Sequence, residues 1–191
     1  MIALRPARAE DAAAIVAIYA PHVLVGTASF ETTAPGEAEM RERMAGADGL
    51  YPWLVATTGS PGADAGEEGV LAYAYATAYG TRPAYRWAVE TTVYVADAAQ
   101  RQGAGRLLYE ALIDTLRAQG FTQAIARIAL PNEASISLHE QSGFRRAGVL
   151  REVGWKGGRW IDVGLWQCDL ADPTTPPMEP RRFADVGMVR S

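Results

Sequence analysis

The sequence predicts an α+β domain in which a mixed, mostly antiparallel central sheet is flanked by about four helices, and three observations carry that prediction. Apolar runs in the N-terminal part are joined by turn-rich loops, as between antiparallel neighbours. A strand, a glycine turn, a helix and a further strand then follow one another from Arg86 to Leu130. Finally, Gly157 and Gly158 separate two long runs, as in a terminal hairpin.

The elements follow in order. Ile2 to Pro6 reads as a short strand. Ala12 to Ala20 reads as an amphipathic helix: Glu10 and Asp11 supply acidic groups where the helix dipole favours them, and Pro21 marks its end. Those two acids also argue against a targeting signal in this apolar run. Pro35 to Ala45 reads as a second helix, with Met40 and Met44 four residues apart on one face. Trp53 to Thr57 and Val70 to Tyr79 are strands, joined by a solvated and chemically inert loop from Gly59 to Gly69. Arg86 to Val95 is the next strand, and Leu107, Leu108, Leu112, Ile113 and Leu116 place a helix up to Gln119, ended by Gly120. Ala124 to Leu130 is a buried strand, Asn132 to Ser142 a helix ended by Gly143, and the hairpin closes near Leu170. One domain over 1–170 is expected, with 171–191 a proline-rich tail, mobile or draped on the surface, whose prolines cannot sustain a helix or central strand.

Composition excludes several classes of function. With 191 residues, 49% of them hydrophobic, the chain can fill one core. A net charge of −4 without a long basic run argues against a nucleic-acid partner, and no stretch approaches the ~20 apolar residues of a membrane span. Cys168 stands alone and suits a reducing compartment, so a cytoplasmic location is expected. One cysteine and two histidines distant in sequence offer no metal-ligand spacing.

The chemistry concentrates in Glu90 to Arg106, E-T-T-V-Y-V-A-D-A-A-Q-R-Q-G-A-G-R. Thr92 to Val95 suit a strand, and Gly103 and Gly105 fall at the start of a helix, where unpaired N–H groups and the dipole favour a diphosphate. A glycine pair also serves ordinary tight turns and close packing. Leu108 stands where a dinucleotide fingerprint needs its third glycine, and the P-loop string is absent. Gln100, Gly103 and Gly105, read as Q-x-x-G-x-G, resemble the coenzyme A signature of the GNAT superfamily of acetyl-CoA-dependent N-acetyltransferases.

The resemblance extends through S-F-E at Ser29, Y-P-W-L-V-A at Tyr51, A-Y-R-W-A-V-E at Ala84, L-P-N-E-A-S at Leu130, L-H-E-Q-S-G-F at Leu138 and G-W-K-G-G-R-W at Gly154. In that order these segments are similar to the phosphinothricin and methionine sulfoximine acetyltransferase branch, up to about Leu170. Departures are the long Gly59 to Gly69 loop, Ala88 in place of Thr and Gln100 in place of Arg.

The resemblance implies the GNAT fold, acetyl-CoA as co-substrate and a homodimer. It also implies roles. Glu90 matches the family's catalytic glutamate; by its sequence setting alone it reads as well as a surface or salt-bridged residue. His139 stands where many members place the group that protonates the departing thiolate, and otherwise reads as a packing histidine. Val93, Tyr94 and Val95 would pair with the pantetheine arm, or simply form a sheet strand. Arg101, Gln102, Gly103, Ala104, Gly105 and Arg106 would hold the pyrophosphate, and Asn132 would also touch coenzyme A. For the amine, a carboxylate would seek Arg82, with Arg86 as a substitute, and Phe30, Glu31 and Tyr85 would wall the pocket. Tyr73 and Tyr75 read as core or interface aromatics, His22 as a capping or surface group, and Trp155, Trp160, Ile161 and Trp166 as core or dimer contacts.

The expected activity is acetyl transfer to the α-amine of a small amino-acid analogue: phosphinothricin, methionine sulfoximine or methionine sulfone. Two other readings are kept, acetylation of a peptide N-terminus or polyamine, and an acyl-CoA-binding module without chemistry.

Overall fold

In the computed structural model, which describes residues 2–46, 49–59, 69–172 and 177–190, seven strands form one sheet in the order β1-β2-β3-β4-β5-β7-β6. The strands are β1 (Ile2–Pro6), β2 (Trp53–Thr58), β3 (Gly69–Ala78), β4 (Ala88–Val95), β5 (Gln123–Ala129), β6 (Arg145–Lys156) and β7 (Arg159–Asp169). Among the described residues, β4 and β5 form the one parallel pair and the other neighbours are antiparallel. Residues 60–68 of the loop expected to be inert lie outside the described residues.

Helices α1 (Ala12–Leu24) and α2 (Glu37–Ala45) cover one sheet face; α3 (Ala104–Gln119) and α4 (Glu133–Gln141) pack against the other. The alternation of strand side chains decides which core each residue joins. Tyr73 and Val55 pack with Ile15, Tyr19 and Met40, while Ala74 and Val89 pack with Leu108, Leu112 and Leu116.

Helix α1 continues one turn past Pro21, where the sequence predicts its end. Proline has no N–H to donate back into the helix, but its carbonyl still accepts from Val25 and Gly26, both at 3.0 Å, so the last turn closes. Asp11, at the start of α1, is buried against Arg5, whose guanidinium bonds both carboxylate oxygens at 2.7 and 2.8 Å, and it accepts the Arg8 N–H. Burial would raise its pKa, but these donors outweigh burial and hold it below 3.8. Gly120 ends α3 at φ +92°, and Gly143 follows α4 at φ +90°.

The described tail is draped over the body and anchored there. Trp87 Nε1 donates to Met178 O, Arg86 grips Glu179, and Gln119 Nε2 donates to both Leu50 O and Arg181 O. Beyond the prolines the chain forms a fifth short helix, α5 (Phe183–Val186), and Phe183 and Met188 pack against the α3 core. The terminal-hairpin aromatics divide between two roles: Ile161 and Trp166 are buried, whereas Trp155 and Trp160 are 60% and 58% exposed and meet edge to face.

Candidate active site

The site arises where the sheet splits. Parallel pairing of β4 with β5 covers Ala88, Val89 and Glu90, and the two strands then diverge although both continue. At the fork Thr91 Oγ1 hydrogen-bonds Tyr109 Oη at 2.8 Å and donates to Ile125 O at 3.3 Å. Beyond it lies a cavity of about 510 Å³, with Thr92, Val93, Tyr94 and Val95 on the β4 side and Arg127 and Ile128 on the β5 side. Parallel strands that part leave backbone amides at their inner edges, which an extended amide-bearing arm can pair with.

One end of this cavity is backbone. Arg101 adopts φ +60° and Gly103, the residue before α3, φ +83°. Two left-handed residues in so short a turn, placed at a helix start, are a backbone setting suited to an anion. Gln100 and Gln102 brace the turn by donating to Asp97 Oδ1 at 2.8 Å and Ala98 O at 2.7 Å. Gly105 is demanded by packing: a Cβ there would lie 2.8 Å from Val95 Cγ2. Arg101, Gly103, Gly105 and Arg106 line the cavity, whereas Ala104 is buried in the core and the Gln102 side chain points to Ala98.

From the α4 side come Asn132 and His139. Asn132 caps α4, its Oδ1 accepting the Ser135 N–H at 3.1 Å. His139 is buried between the rings of Tyr109 and Phe144, and its Nδ1 lies 2.7 Å from Ser135 O. That carbonyl requires an N–H, so Nδ1 carries the proton and Nε2 is the acceptor. Burial holds the imidazole below its usual pKa of 6.5, so it is neutral at pH 7.

Glu90 stands at the fork. Thr77, its partner across β3, lines a second cavity of about 260 Å³ with Tyr19, Arg43 and Tyr75, and Thr92, next on the same face of β4, lines the first. Burial raises the Glu90 carboxyl above its ordinary 4.5, while Arg127, whose Nε lies 3.2 Å from Glu90 Oε2, pulls the other way. The net direction is upward, which makes this carboxylate a stronger proton acceptor than an exposed glutamate.

The residues expected to hold the amine are more scattered. Arg82, Tyr85, Phe30 and Glu31 do not line the main cavity. Arg82 precedes the exposed turn Pro83–Tyr85, and Tyr85 packs edge to face on Tyr79. Arg86, the substitute, is committed to Glu179. Glu31 is held by the Arg43 guanidinium at 2.7 and 3.1 Å, which keeps its carboxyl below the usual range. Phe30 leans on β6, where a Cβ at Gly154 would run into its ring. Lys156 Nζ donates to His22 O at 3.2 Å and Ser29 O at 2.6 Å, tying this loop to the hairpin.

Arg127 and His22 also belong to the cavity wall, beyond the residues the sequence points to. Arg127 is the lone charge in the strand Q-A-I-A-R-I-A, which marks it in the sequence. His22 is not the cap or surface group its sequence setting suggests; it lines the cavity with its ring 4.9 Å from that of Tyr94, and burial lowers its pKa. The two histidines, distant in sequence, therefore line one cavity, although among the described residues no three His, Cys, Asp or Glu side chains group as a metal site.

Residues 4–165 match the family described as acetyltransferase (GNAT) domain. The chain belongs to the GNAT acetyltransferase family. It is an acyltransferase, and its fold is the GNAT fold. Among its relatives are the phosphinothricin N-acetyltransferase of Alcaligenes faecalis, 45% identical with 91% of this chain and 86% of that protein covered, and the L-methionine sulfoximine/L-methionine sulfone acetyltransferase of Pseudomonas paraeruginosa, 39% identical with 90% and 95% covered. The crystal structure of a GNAT phosphinothricin acetyltransferase from Sinorhizobium meliloti, solved with acetyl-CoA, superimposes with a TM-score of 0.83 at 37% identity, covering 100% and 99% of the two chains. The split between β4 and β5 and the anion-ready turn fit such a thioester's long amide arm and diphosphate.

Proposed function

We propose that this GNAT enzyme acetylates the α-amine of a small amino-acid analogue, phosphinothricin, methionine sulfoximine or methionine sulfone, by direct transfer from acetyl-CoA with Glu90 as general base. The observation that carries the reading is the half-buried Glu90 carboxylate, raised in pKa, at the fork from which the main cavity opens. The named activities of the relatives supply the substrate class.

Val93 to Val95 offer the strand edge for the pantetheine amides, and the turn from Arg101 to Arg106 offers N–H groups and guanidinium charge to the diphosphate. Asn132 would lie beside the same arm. When bound, acetyl-CoA supplies the acetyl group and a thiolate leaving group. Glu90 removes one proton from the substrate ammonium, freeing the lone pair that forms the N–C bond as the C–S bond breaks. The nitrogen must lose a second proton and the sulfur must gain one. His139, neutral with Nε2 open, can accept the former and pass it on; it cannot act as an acid before it has been charged. Phe30, Glu31, Arg82 and Tyr85 would shape the outer amine pocket.

The exposed Trp155–Trp160 pair supports assembly as a homodimer, which sedimentation velocity would read. The free thiol of Cys168 is consistent with work in the cytoplasm. The central test is release of free thiol from acetyl-CoA. Turnover with these three amines, and little with a peptide N-terminus or spermidine, is expected; no release with any of the three would sink the substrate reading.

A further inference from the structure

We propose that Arg127 and Glu90 together read a zwitterion, Arg127 taking the α-carboxylate of the amine substrate while Glu90 takes its α-ammonium. Arg127 is thus a specificity-determining residue for amines that carry a carboxylate on the adjacent carbon. The proposal rests on placing the amine at Glu90 and deepens that reading.

The geometry starts from register. Glu90 pairs with Ile125, and Arg127, two residues further along β5, projects from the same sheet face as Ile125. Arg127 Nε lies 3.2 Å from Glu90 Oε2, and Arg127, unlike Glu90, is part of the wall of the main cavity, as is Thr92. A guanidinium has five N–H donors in a fixed plane, matched to a carboxylate, so one lining the cavity wall can serve a second carboxylate besides that of Glu90. With side chains 50% and 27% exposed, this ion pair is a weak one and opens or adjusts at small cost.

An α-amino acid carries the complementary pair. Its ammonium nitrogen and nearer carboxylate oxygen are separated by about 3 Å, a spacing fixed by two bonds at one carbon. Laid beside Glu90 and Arg127, the four charges alternate in sign around a small ring, and each substrate charge meets its opposite. A distal amine, or an amine without a carboxylate, satisfies Glu90 but leaves Arg127 unmatched. Contact with Glu90 supports Arg127 over other arginines: Arg82 lies outside the cavity wall, Arg86 is held by Glu179, Arg43 is divided between Glu31 and Glu39, and Arg101 and Arg106, though in the wall, belong to the glycine turn. Arg127 also stands as the one charge in an otherwise uncharged strand.

The test is a binding ratio measured without turnover. Affinities for methionine sulfone and for its carboxamide are measured by calorimetry on the full chain in the presence of coenzyme A. The natural protein is expected to favour the carboxylate. Arg127→Gln should erase about 10- to 100-fold of that preference by weakening the carboxylate alone, with Arg127→Lys in between and coenzyme A affinity unchanged. An equal preference in Arg127→Gln, or none in the natural protein, overturns the proposal. The general-base role is read separately from turnover of Glu90→Gln, so either claim can fail without the other.

Discussion

The two ends of the proposed site are made of different material. At the proposed coenzyme end the wall is set by backbone: the strand from Val93 to Val95, the left-handed Arg101 and Gly103, and the glycine that lets α3 press on Val95. The proposed amine end is built of side chains brought from separate elements: Glu90 at the fork on β4, Arg127 on β5, and, outside the cavity wall, Glu31 held from α2 by Arg43. The first end has its geometry built into the chain; the second depends on charges balancing one another. Damage to each should therefore show in a different constant.

The largest effect is expected at the amine end. Glu90→Gln should lower kcat about 10²- to 10⁴-fold, the usual range for a general base, with coenzyme A affinity unchanged; an unaltered rate would remove Glu90 from the mechanism. Because burial raises this carboxyl, its protonation should switch off the natural enzyme as pH falls, with the limb of kcat/KM above the ordinary 4.5. Replacing Arg127 by Gln removes the opposing charge, so that limb should move to higher pH. An unmoved limb would mean that another group controls it.

Next comes the coenzyme end. The Cβ of Gly105→Ala would press on Val95, so α3 or β4 must shift, at a cost of about 1–3 kcal/mol. The expected signature is a lower Tm and a higher KM for acetyl-CoA, with the relative rates among amines preserved. If the amine preference changed as well, the division of the site into two ends would be wrong.

Two smaller effects sharpen the boundary. Arg43→Gln frees Glu31 from an ion pair that is about one-third exposed, worth at most about 1 kcal/mol, so the amine KM should rise only a few-fold with the coenzyme constant unmoved. His139 is held below pH 6.5 by burial, so the unfolded chain gains a proton first as pH falls, and the stability tied to the neutral ring is lost from about 6.5 downward. His139→Phe should flatten that decline in Tm. It should also alter the rate profile if the imidazole carries the second proton; an identical profile would leave it a packing group.

The same division explains what the sequence disclosed. The sheet, the main helices and the glycine turn were legible because each rests on local rules: alternation, helical spacing, and glycine where φ is positive. Pro21 misled because its missing donor matters less in a last turn whose later amides still find its carbonyl. The amine end was less legible because its parts are distant in sequence. Nothing near Arg127 announces Glu90, 37 positions earlier; the register of β4 on β5 is what joins them. Likewise the helix end at His22 meets Tyr94 only through the packing of α1 on the sheet.

Lys156 has a consequence for motion. Its ammonium binds the carbonyls of His22 and Ser29 together, and Phe30 rests against the strand that carries Lys156. The β6–β7 hairpin and the loop after α1 are thereby fastened into one jaw. A substrate that needs more room cannot displace the loop alone; it must either detach an ammonium from two carbonyls or swing the hairpin with it. Backbone amides near Ser29 and near Gly154 should accordingly exchange with solvent in step.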